Sequence, residues 1–490
     1  MKKVLLINLK KQFENVRAGW PHLGLVSIGS VLKKAGFEVL VLDYAYNIEA
    51  PDIKVFFDKF KPDIIGLSLY TSTWNVCDKA IDELHGLTEA VIMVGGPHAS
   101  LNYEELLKKQ GIDYIFTGEA EEKILDVCMN AKRNKHPEIV NCGYVDINKI
   151  LKPDFRICYE YGNIKEVGFQ LSRGCPYGCI YCQVKIIASR KIRYRNINLS
   201  LEDIENNRNI LPNLKTVRIV DDCPSLRLDL FKDFVRKFID KFPELSLSLT
   251  HLRADQIDTE ALSLLKKAGC RAITIGVESG NTEVFNFIKK GAKIEALEKG
   301  CQLIKENGLL LYLAFIVGLP YSNYAREKNS LDLAKRINPY YIYWNMLIPF
   351  KGTEVYDWFE KHGKIYHDKF GTTLIDNNLQ FDGAYVETED FSLKDRERAQ
   401  IRAVFETKAF PFRLKLIPRI FYLGHKYRVW PSVFYLFFNP RSLIKVSLDV
   451  IENDFLFPFI LPIVKKSKIW PHVKKTLLRG YMKINLNLKT

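Results

Sequence analysis

The sequence predicts an α/β protein with a doubly wound parallel sheet at the N-terminus, then a partial (β/α)6 TIM-like barrel, then a mostly helical C-terminal region. Two observations support this fold class. Continuously apolar strands alternate with helices through residues 1–142, and the same alternation runs from 166 to 375. This pattern is typical of parallel sheets whose faces are covered by helices. Residues 143–165 are polar and form a predicted linker, and residues 376–490 lose the alternation.

The apolar run after Lys3 is too short for a signal peptide and has no cleavage-site pattern, so it is interpreted as the first buried strand of the domain. Ligands of such sheets bind beyond the carboxyl ends of the strands. The predicted strands are Val4–Leu9, Val39–Asp43, Ile64–Ser68, Val91–Gly95 and Tyr114–Thr117. The predicted helices are Gly24–Ala35, Ile53–Phe60, Val76–Leu84 and Tyr103–Lys109.

The second domain contains six strand–helix units, and each strand ends in residues that could carry chemistry. Such residues lie on the active face of a barrel. Six units rather than eight indicate an incomplete barrel, open at one side for a large substrate. The predicted strands are Val167–Leu171, Thr216–Val220, Leu245–Thr250, Ala272–Val277, Leu310–Val317 and Tyr340–Leu347. The predicted helices are Leu201–Asn206, Leu228–Phe242, Thr259–Ala268, Ile294–Asn307 and 324–337.

Three cysteines, Cys175, Cys179 and Cys182, follow the first of these strands with the spacing C-x3-C-x2-C, separated by glycines and a proline. Three thiolates can hold three corners of a 4Fe–4S cluster and leave the fourth iron for a small molecule. A zinc site would need a fourth ligand at a regular spacing, which does not follow nearby. The alternative is three buried structural cysteines.

The other seven cysteines share no spacing, and all ten lie within the first 301 residues. This is not a secreted disulfide framework, so a reducing cytoplasm is expected. No catalytic side chain is identified by the sequence. Cys223, beside Asp222 at a strand end, is the one candidate.

With Tyr181 before the third cysteine, the motif resembles the radical S-adenosylmethionine (SAM) superfamily. The resemblance implies that the three cysteines hold the cluster and that Asp221 and Asp222 contact the SAM amino group. It also implies that Glu278 and Ser279, in Gly276–Asn281, hold the ribose hydroxyls. The remaining implied SAM contacts are Tyr181 and, in the adenine-packing segment 315–320, Phe315 and Gly318. The structural alternatives are a helix cap for the aspartates, a surface ion pair for Glu278 and turns for the glycines.

Four segments of the first domain, in their order and spacing, resemble the cobalamin-binding domain that precedes many radical SAM enzymes. They are Pro21–Leu25, Gly66–Ser68, Gly95–His98 and Gly118–Glu122. The implied cobalamin contacts are Leu23, Gly24, Ser68, Thr71, Ser72, Thr73, Trp74, Gly95, Gly96, His98, Gly118 and Glu119. There is no G-x-G-x-x-G, so a dinucleotide site is not favoured. The alternative is a flavodoxin-like domain without a cofactor.

The D-x-H-x-x-G motif, which supplies a cobalt-binding histidine in other cobalamin proteins, is absent. We therefore expect no histidine below the cobalt. Trp74 is a candidate to cover that face, with ordinary packing as the alternative. For His98 we expect contact with backbone or with the nucleotide tail rather than with cobalt.

Together these resemblances imply a cobalamin-dependent radical SAM enzyme, most often a methyltransferase acting on an unactivated carbon of a small-molecule or lipid-like substrate. One SAM would supply the methyl group through cobalamin, and another would yield the 5′-deoxyadenosyl radical. An external electron donor of the flavodoxin or ferredoxin type is implied. The alternatives are a ring-forming or rearranging enzyme and, from another class, an iron–sulfur and cobalamin sensor or electron carrier.

The C-terminal region carries almost all of the net charge of +15, because residues 391–490 contain 20 Lys and Arg but 6 Asp and Glu. Aromatic, aliphatic and basic residues interleave in Ala409–Lys426 and Val429–Val450, and Phe455–Val464 is strongly apolar. Such segments can cap a barrel mouth or lie on a membrane surface. We expect a cytoplasmic protein, with peripheral membrane association as the alternative. Nucleic acid is not expected as a partner, since no RNA-binding module is recognisable.

Overall fold

The computed structural model describes residues 1–10, 18–250, 252–367, 383–407 and 416–438. The chain divides into two compact units, Met1–Asp376 with Asp382–Arg396, and Asn377–Phe381 with Glu397–Thr490. The first unit contains the three parallel sheets of the described residues, which confirms the predicted α/β class.

The N-terminal sheet has six parallel strands in the order β2-β1-β3-β4-β5-β6. The strands are β1 (Lys3–Asn8), β2 (Glu38–Asp43), β3 (Ile64–Ser68), β4 (Val91–Gly95), β5 (Tyr114–Gly118) and β6 (Glu138–Gly143). The helices are α1 (Leu23–Lys34), α2 (Ile53–Phe60), α3 (Trp74–Leu87), α4 (Pro97–Leu106) and α5 (Ile124–Asn130). The strand order reverses beside β1, so the carboxyl ends of β1 and β3 form the crevice in which such sheets bind ligands.

Two elements of this sheet differ from the predictions. Strand β6 was not predicted, because most of its side chains are exposed and it lacks the apolar run of a buried strand. The helix predicted from Tyr103 begins at Pro97 instead. Proline is favoured in the first turn of a helix, where its missing N–H is not needed, and Asn102 then interrupts the helix with φ −124°.

The barrel domain consists of two three-stranded parallel sheets, in the orders β7-β10-β11 and β12-β13-β14. A parallel bridge between Leu252 and Ile275 joins them. The strands are β7 (Glu166–Phe169), β10 (Thr216–Ile219), β11 (Ser246–Leu249), β12 (Ala272–Glu278), β13 (Leu310–Val317) and β14 (Tyr341–Met346). The helices are α7 (Ile197–Ile210), α8 (Leu228–Lys241), α9 (Thr259–Lys267), α10 (Thr282–Phe287), α11 (Ile294–Glu306), α12 (Glu327–Ile337) and α13 (Glu354–His362). The six strands in chain order match the predicted partial (β/α)6 barrel.

The cysteine loop leaves β7 and is enclosed by a short antiparallel pair, β8 (Ser172–Arg173) and β9 (Arg193–Tyr194), with α6 (Val184–Ile187) between them. A second antiparallel pair, β15 (Lys364–Ile365) and β16 (Val386–Glu387), follows α13.

The C-terminal region begins with α14 (Leu393–Thr407), and the helices α15 (Ile417–Lys426) and α16 (Trp430–Phe438) follow. Helices α15 and α16 pack through buried Ile420, Leu423, Val433 and Leu436. The predicted segment Phe455–Val464, with the parts of the other two segments at 409–415 and 439–450, lies outside the described residues. None of the helices described is both long and apolar enough to cross a membrane.

Candidate active site

The cysteine loop starts at Gly174, whose φ of +93° places it in the left-handed region. A Cβ at this position would lie 2.8–2.9 Å from the carbonyl oxygens of Ala188, Ser189 and Lys191, so only glycine fits where the loop closes on itself. The three thiols lie near one another, since the charge of Cys175 contributes to the raised pKa of Cys179, and both of these thiols contribute to that of Cys182. Within the described parts of the chain, no three Cys, His, Asp or Glu side chains converge on a single metal ion. Three thiols in one small region can each bind a different iron of a 4Fe–4S cluster.

The surroundings of the three thiols are unequal. Cys223 and the backbone N–H of Tyr177 hydrogen-bond to Cys175 and lower the pKa of its thiol to about 7, although burial opposes them. Burial raises the pKa of Cys182 to about 12. Cys223 is itself buried, and its hydrogen bond with Cys175, together with burial, raises the pKa of its thiol well above the usual range. It therefore lies beside the first cysteine of the motif.

The two aspartates at the end of β10 support the start of the cysteine loop. Asp221 is fully buried, and its two carboxylate oxygens accept hydrogen bonds from the Leu171 N–H at 2.8 Å and the Ser172 hydroxyl at 2.6 Å. Burial raises the pKa of Asp221 to about 7. Asp222 accepts a hydrogen bond from the Gly174 N–H at 2.9 Å and also lines a cavity. Of the predicted pair, only Asp222 is placed to meet a ligand, and Asp221 instead holds the loop.

Glu278 turns back over its own strand, with a φ of +68°. A Cβ at Gly276 would collide with the Glu278 carboxylate, which explains the glycine two residues earlier. The Lys290 ammonium binds the Glu278 carboxylate at 2.8 Å, and both side chains are nine-tenths buried. Burial raises the pKa of the Tyr181 phenol well above its usual value, and Glu278 adds to the effect. Ser279 is buried beside them.

The predicted adenine segment is only partly placed as expected. Phe315 is fully buried and stacks on Trp344 with ring centroids 4.6 Å apart, on the opposite face of β13 from Ala314 and Ile316. Its side chain packs in the core, because neighbouring residues of a strand point to opposite faces. The structure therefore does not place the Phe315 ring where it could contact adenine. Gly318 has a φ of +90° and follows the strand directly.

Buried charges fix the turn at Gly318. Its N–H donates to Glu327 at 2.9 Å, and its carbonyl accepts from Arg396 at 2.5 Å. Burial raises the pKa of Glu327 and lowers that of Arg396 to about 10.

A cavity of about 550 Å³ lies where the carboxyl ends of the N-terminal sheet face those of the barrel. Its wall on the barrel side includes Gln170, Arg173, Asp222 and Thr250. Its wall on the other side includes seven of the predicted cobalamin contacts: Leu23, Gly24, Ser68, Gly95, Gly96, Gly118 and Glu119. The structure thus brings most of that predicted set together around one space next to the cysteine loop.

The crevice end of this cavity holds a hydrogen-bonded group centred on His22. Its Nδ1 accepts from the Leu25 N–H at 3.1 Å, while Nε2 lies 3.1 Å from the Ser68 hydroxyl and 2.9 Å from that of Tyr70. Because Nδ1 accepts, the neutral ring carries its proton on Nε2. Burial lowers the pKa of His22, against the opposing charge of Asp43. His22 therefore has no free lone pair to offer a metal.

The remaining predicted contacts, Thr71, Ser72, Thr73, Trp74 and His98, are not among the residues that line this cavity. His98 is buried, its Nδ1 lies 3.1 Å from Asn102 Nδ2 and from the Thr71 hydroxyl, and burial lowers its pKa to about 4. Its ring stacks on Trp74 at 4.7 Å. Trp74 also packs on the core of the sheet, as expected if its role is ordinary packing.

Sequence reasoning missed several residues of the site. Asp43, the last residue of β2, and Tyr70, two residues after β3, lie at the strand ends where such sheets bind ligands and so agree with the rule. The sequence around Arg173 and Lys290 does not indicate a role for either residue. Their buried partners, Glu121 and Glu278, lie far away in the sequence or on another structural element. Trp20 also lines the cavity, where its ring lies 4.3 Å from the Arg218 guanidinium.

Comparison with known proteins agrees with this architecture. Residues 12–127 match the family model of the B12 binding domain, and residues 169–334 match that of the Radical SAM superfamily. An uncharacterized methyltransferase of Pyrococcus horikoshii is 21% identical over 69% of this chain and 78% of the relative. The anaerobic magnesium-protoporphyrin IX monomethyl ester cyclase of Rubrivivax gelatinosus is 24% identical over 81% of this chain and 75% of the relative.

Among solved structures, the cobalamin-dependent S-adenosylmethionine radical enzyme OxsB, with aqua-cobalamin and S-adenosylmethionine bound, has a similar fold. The TM-score is 0.60 at 17% identity, and the match covers 100% of this chain and 81% of that one. The matched family models are those of a B12-binding domain and a radical SAM domain, and solved structures of similar fold contain cobalamin, a [4Fe-4S] cluster and SAM. The three cofactors expected from the sequence are thereby confirmed.

Proposed function

We propose that this chain, which belongs to the radical SAM enzymes that carry a B12-binding domain, transfers a methyl group to an unactivated carbon of a small-molecule substrate. The observation that carries the proposal is the shared cavity. Its walls come from the carboxyl ends of both sheets, and Asp222 joins it directly to the loop of Cys175, Cys179 and Cys182. A methyl donor and a radical source held in these two walls would face the same substrate.

Each part of the site then has a defined task. The three cysteines hold the cluster, Asp222 contacts the SAM amino group, and Glu278 with Ser279 receives the ribose. When bound, the cluster and SAM supply a 5′-deoxyadenosyl radical, and cobalamin supplies the methyl group. The protein orients these groups and keeps water from the cavity. Lys290 fixes the Glu278 carboxylate before SAM arrives, since the two form a buried pair.

The cavity is suited to cobalamin without a histidine below the cobalt. Gly95, Gly96 and Gly118 give its wall the low profile that a large flat ring requires. His22 has both ring nitrogens engaged, and His98 is stacked on Trp74 outside the lining. Trp74 is therefore proposed as a packing residue of α3 rather than as a cover for the cobalt.

A second candidate function, ring formation or rearrangement without net methylation, is favoured by the similarity to the cyclase of Rubrivivax gelatinosus, since the matched region covers most of both chains. The same cavity and the same radical would serve it. The two functions differ in their products.

Anaerobic reconstitution separates these functions. The purified chain is given iron, sulfide and hydroxocobalamin, freed of unbound ligand, and incubated with SAM and a strong reductant. Retained cobalamin with both 5′-deoxyadenosine and S-adenosylhomocysteine supports methyl transfer. Retained cobalamin with 5′-deoxyadenosine alone favours ring formation. Failure to retain cobalamin would contradict the proposal. Because the cluster needs electrons one at a time, the natural donor is proposed to be a flavodoxin or a ferredoxin.

For the C-terminal unit we propose peripheral contact with an anionic membrane surface, which would suit a lipid-like substrate. Four aromatic side chains of α15 and α16 are markedly exposed: Phe421 43%, Tyr422 49%, Phe434 56% and Phe438 72%. Aromatic side chains in a basic segment are typical of helices that lie in a membrane interface. Phe434→Ser with Phe438→Ser should reduce co-sedimentation with phosphatidylglycerol vesicles, whereas Tyr103→Ser, an exposed aromatic of α4, should not. Equal binding of all three proteins, or none, would contradict this contact.

A further inference from the structure

The start and end of the cysteine loop place two arginines side by side. Arg173 on β8 and Arg193 on β9 are directly opposite partners in the antiparallel pair that closes the loop. Like charges directly opposite each other in such a pair are destabilising. Both side chains are mostly buried, with 12% and 18% exposed, so water screens the repulsion between the two guanidinium groups only weakly. The closure of the loop therefore needs a source of negative charge from elsewhere.

That charge comes from the turn after β5 in the B12-binding domain. Glu121 binds Arg173 at 2.7 Å, and Glu119 binds Arg193 through both carboxylate oxygens at 2.6 and 2.7 Å. Glu119 also lies 3.5 Å from Arg173. The carboxylates are 9% and 8% exposed, so two buried anions balance two buried cations.

The backbone of the turn is shaped for this arrangement. Gly118 has a φ of +81°, and a Cβ there would lie 2.5 Å from the Gly143 carbonyl oxygen. The Val145 N–H donates to Glu119 at 2.8 Å, and the Val145 carbonyl accepts from Arg193 at 2.6 Å. The turn is thus held against the end of β6 and the residue two after it, in addition to its contacts with the arginines.

We propose that the acidic turn Gly118–Glu122 is a dock for the cysteine loop, and that Glu121 and Arg173 are positioning residues of the active site. Arg173, Glu119 and Glu121 all line the shared cavity, so the dock joins the wall of the cavity to the residue two before Cys175. The docked loop sets the orientation of the cluster relative to that wall. This last step rests on the proposed function, whereas the docking itself does not.

The first test uses the cofactor-free full chain and hydrogen exchange of peptides covering residues 171–194. Glu121→Gln removes the charge and keeps the shape, and Arg173→Lys keeps the charge and loses the forked contact. Both should speed exchange in the loop by about tenfold or more, as a coupling of about 1.4 kcal/mol would give. Asp154→Asn is the control, because its ion pair with Lys33 at 2.8 Å also connects the first domain to the following segment but touches no residue of the loop. Loop exchange equal to that of the wild type in both test variants, or raised as much by the control, would overturn the dock.

The second test uses the reconstituted protein and electron paramagnetic resonance. The signal of the Co(II) form of bound cobalamin broadens near the reduced cluster, and the effect falls steeply with distance. Glu121→Gln should change this broadening in protein that holds both cofactors, with cobalamin and iron content measured in each sample, and Asp154→Asn should leave it unchanged. Unaltered broadening in Glu121→Gln would remove the positioning role. A wild-type protein that retains no cobalamin would refute the proposed function, and the exchange experiment would still decide the dock.

Discussion

The sequence predicts Asp221 as a SAM ligand, whereas the structure places it as a support of the cysteine loop. Two substitutions separate these roles. Asp221→Asn removes the charge but can still accept from the Leu171 N–H and donate to the Ser172 hydroxyl. Asp221→Ala leaves both groups unpaired in a fully buried site. Since each buried unsatisfied group costs about 1–3 kcal/mol, the alanine variant should lose roughly 2–6 kcal/mol of stability.

The pH dependence of the free energy of unfolding provides a second expected magnitude. Burial raises the pKa of Asp221 to about 7, above the ordinary value of 3.8. A raised pKa of an acid means that its contribution to stability is present at low pH and lost as the pH rises through about 7. The free energy of unfolding of the wild type should therefore fall relative to Asp221→Asn by about 1.4 kcal/mol per pH unit between pH 5 and 7, and then level off.

The assay is urea unfolding of the cofactor-free chain at several pH values, together with equilibrium binding of SAM to the reconstituted protein. For a loop support, Asp221→Asn should leave SAM affinity within about threefold, a difference well below 1 kcal/mol. A loss of SAM affinity of tenfold or more in Asp221→Asn, with unfolding that follows the wild type at every pH, would refute this reasoning. It would restore Asp221 as a SAM contact.

Three further predictions follow from the same structure. Gly118→Ala places a Cβ against the Gly143 carbonyl at a positive φ, so it should lower stability by about 1–3 kcal/mol. The loss is measured as a fall in the thermal midpoint of unfolding, and an unchanged midpoint would contradict the close approach. Cys182→Ala should abolish the cluster absorbance and lower the iron content after reconstitution, whereas the buried Cys270→Ala should keep both. Arg396→Met removes the guanidinium that binds the carbonyl after β13 and should destabilise the chain by about 1–3 kcal/mol; wild-type urea unfolding would show that this contact is dispensable.

Most of the fold could be predicted, because buried parallel strands are apolar runs separated by helices of regular period. Strand Ile64–Ser68 and helix Ile53–Phe60 match their predicted bounds. Strand β6 could not be predicted, since it lies at the edge of its sheet and buries little. Glycines and polar residues at strand ends indicated the place of the cavity, because the carboxyl ends of parallel strands share one edge of a sheet.

The roles of individual site residues were harder to predict. Asp221 and Asp222 are neighbours in sequence, yet one is fully buried and the other reaches the cavity. Phe315 lies in the expected segment but points to the core, which depends on the register of one strand. Lys290 binds Glu278 only because the chain turns back after α10. Such contacts depend on tertiary packing, which local sequence does not encode.

The order of synthesis places the acidic turn ahead of the cysteine loop that it contacts. Glu121 precedes Arg173 by 52 residues, which at bacterial or eukaryotic translation rates corresponds to roughly 3–10 s. The turn and the strand that fixes it are therefore made before either arginine leaves the ribosome. The carboxylates of the turn are therefore already synthesised when the cysteine loop closes, and they can neutralise its two cations as these are buried. A chain made without its first domain would have to close the same loop over two unpaired guanidinium groups.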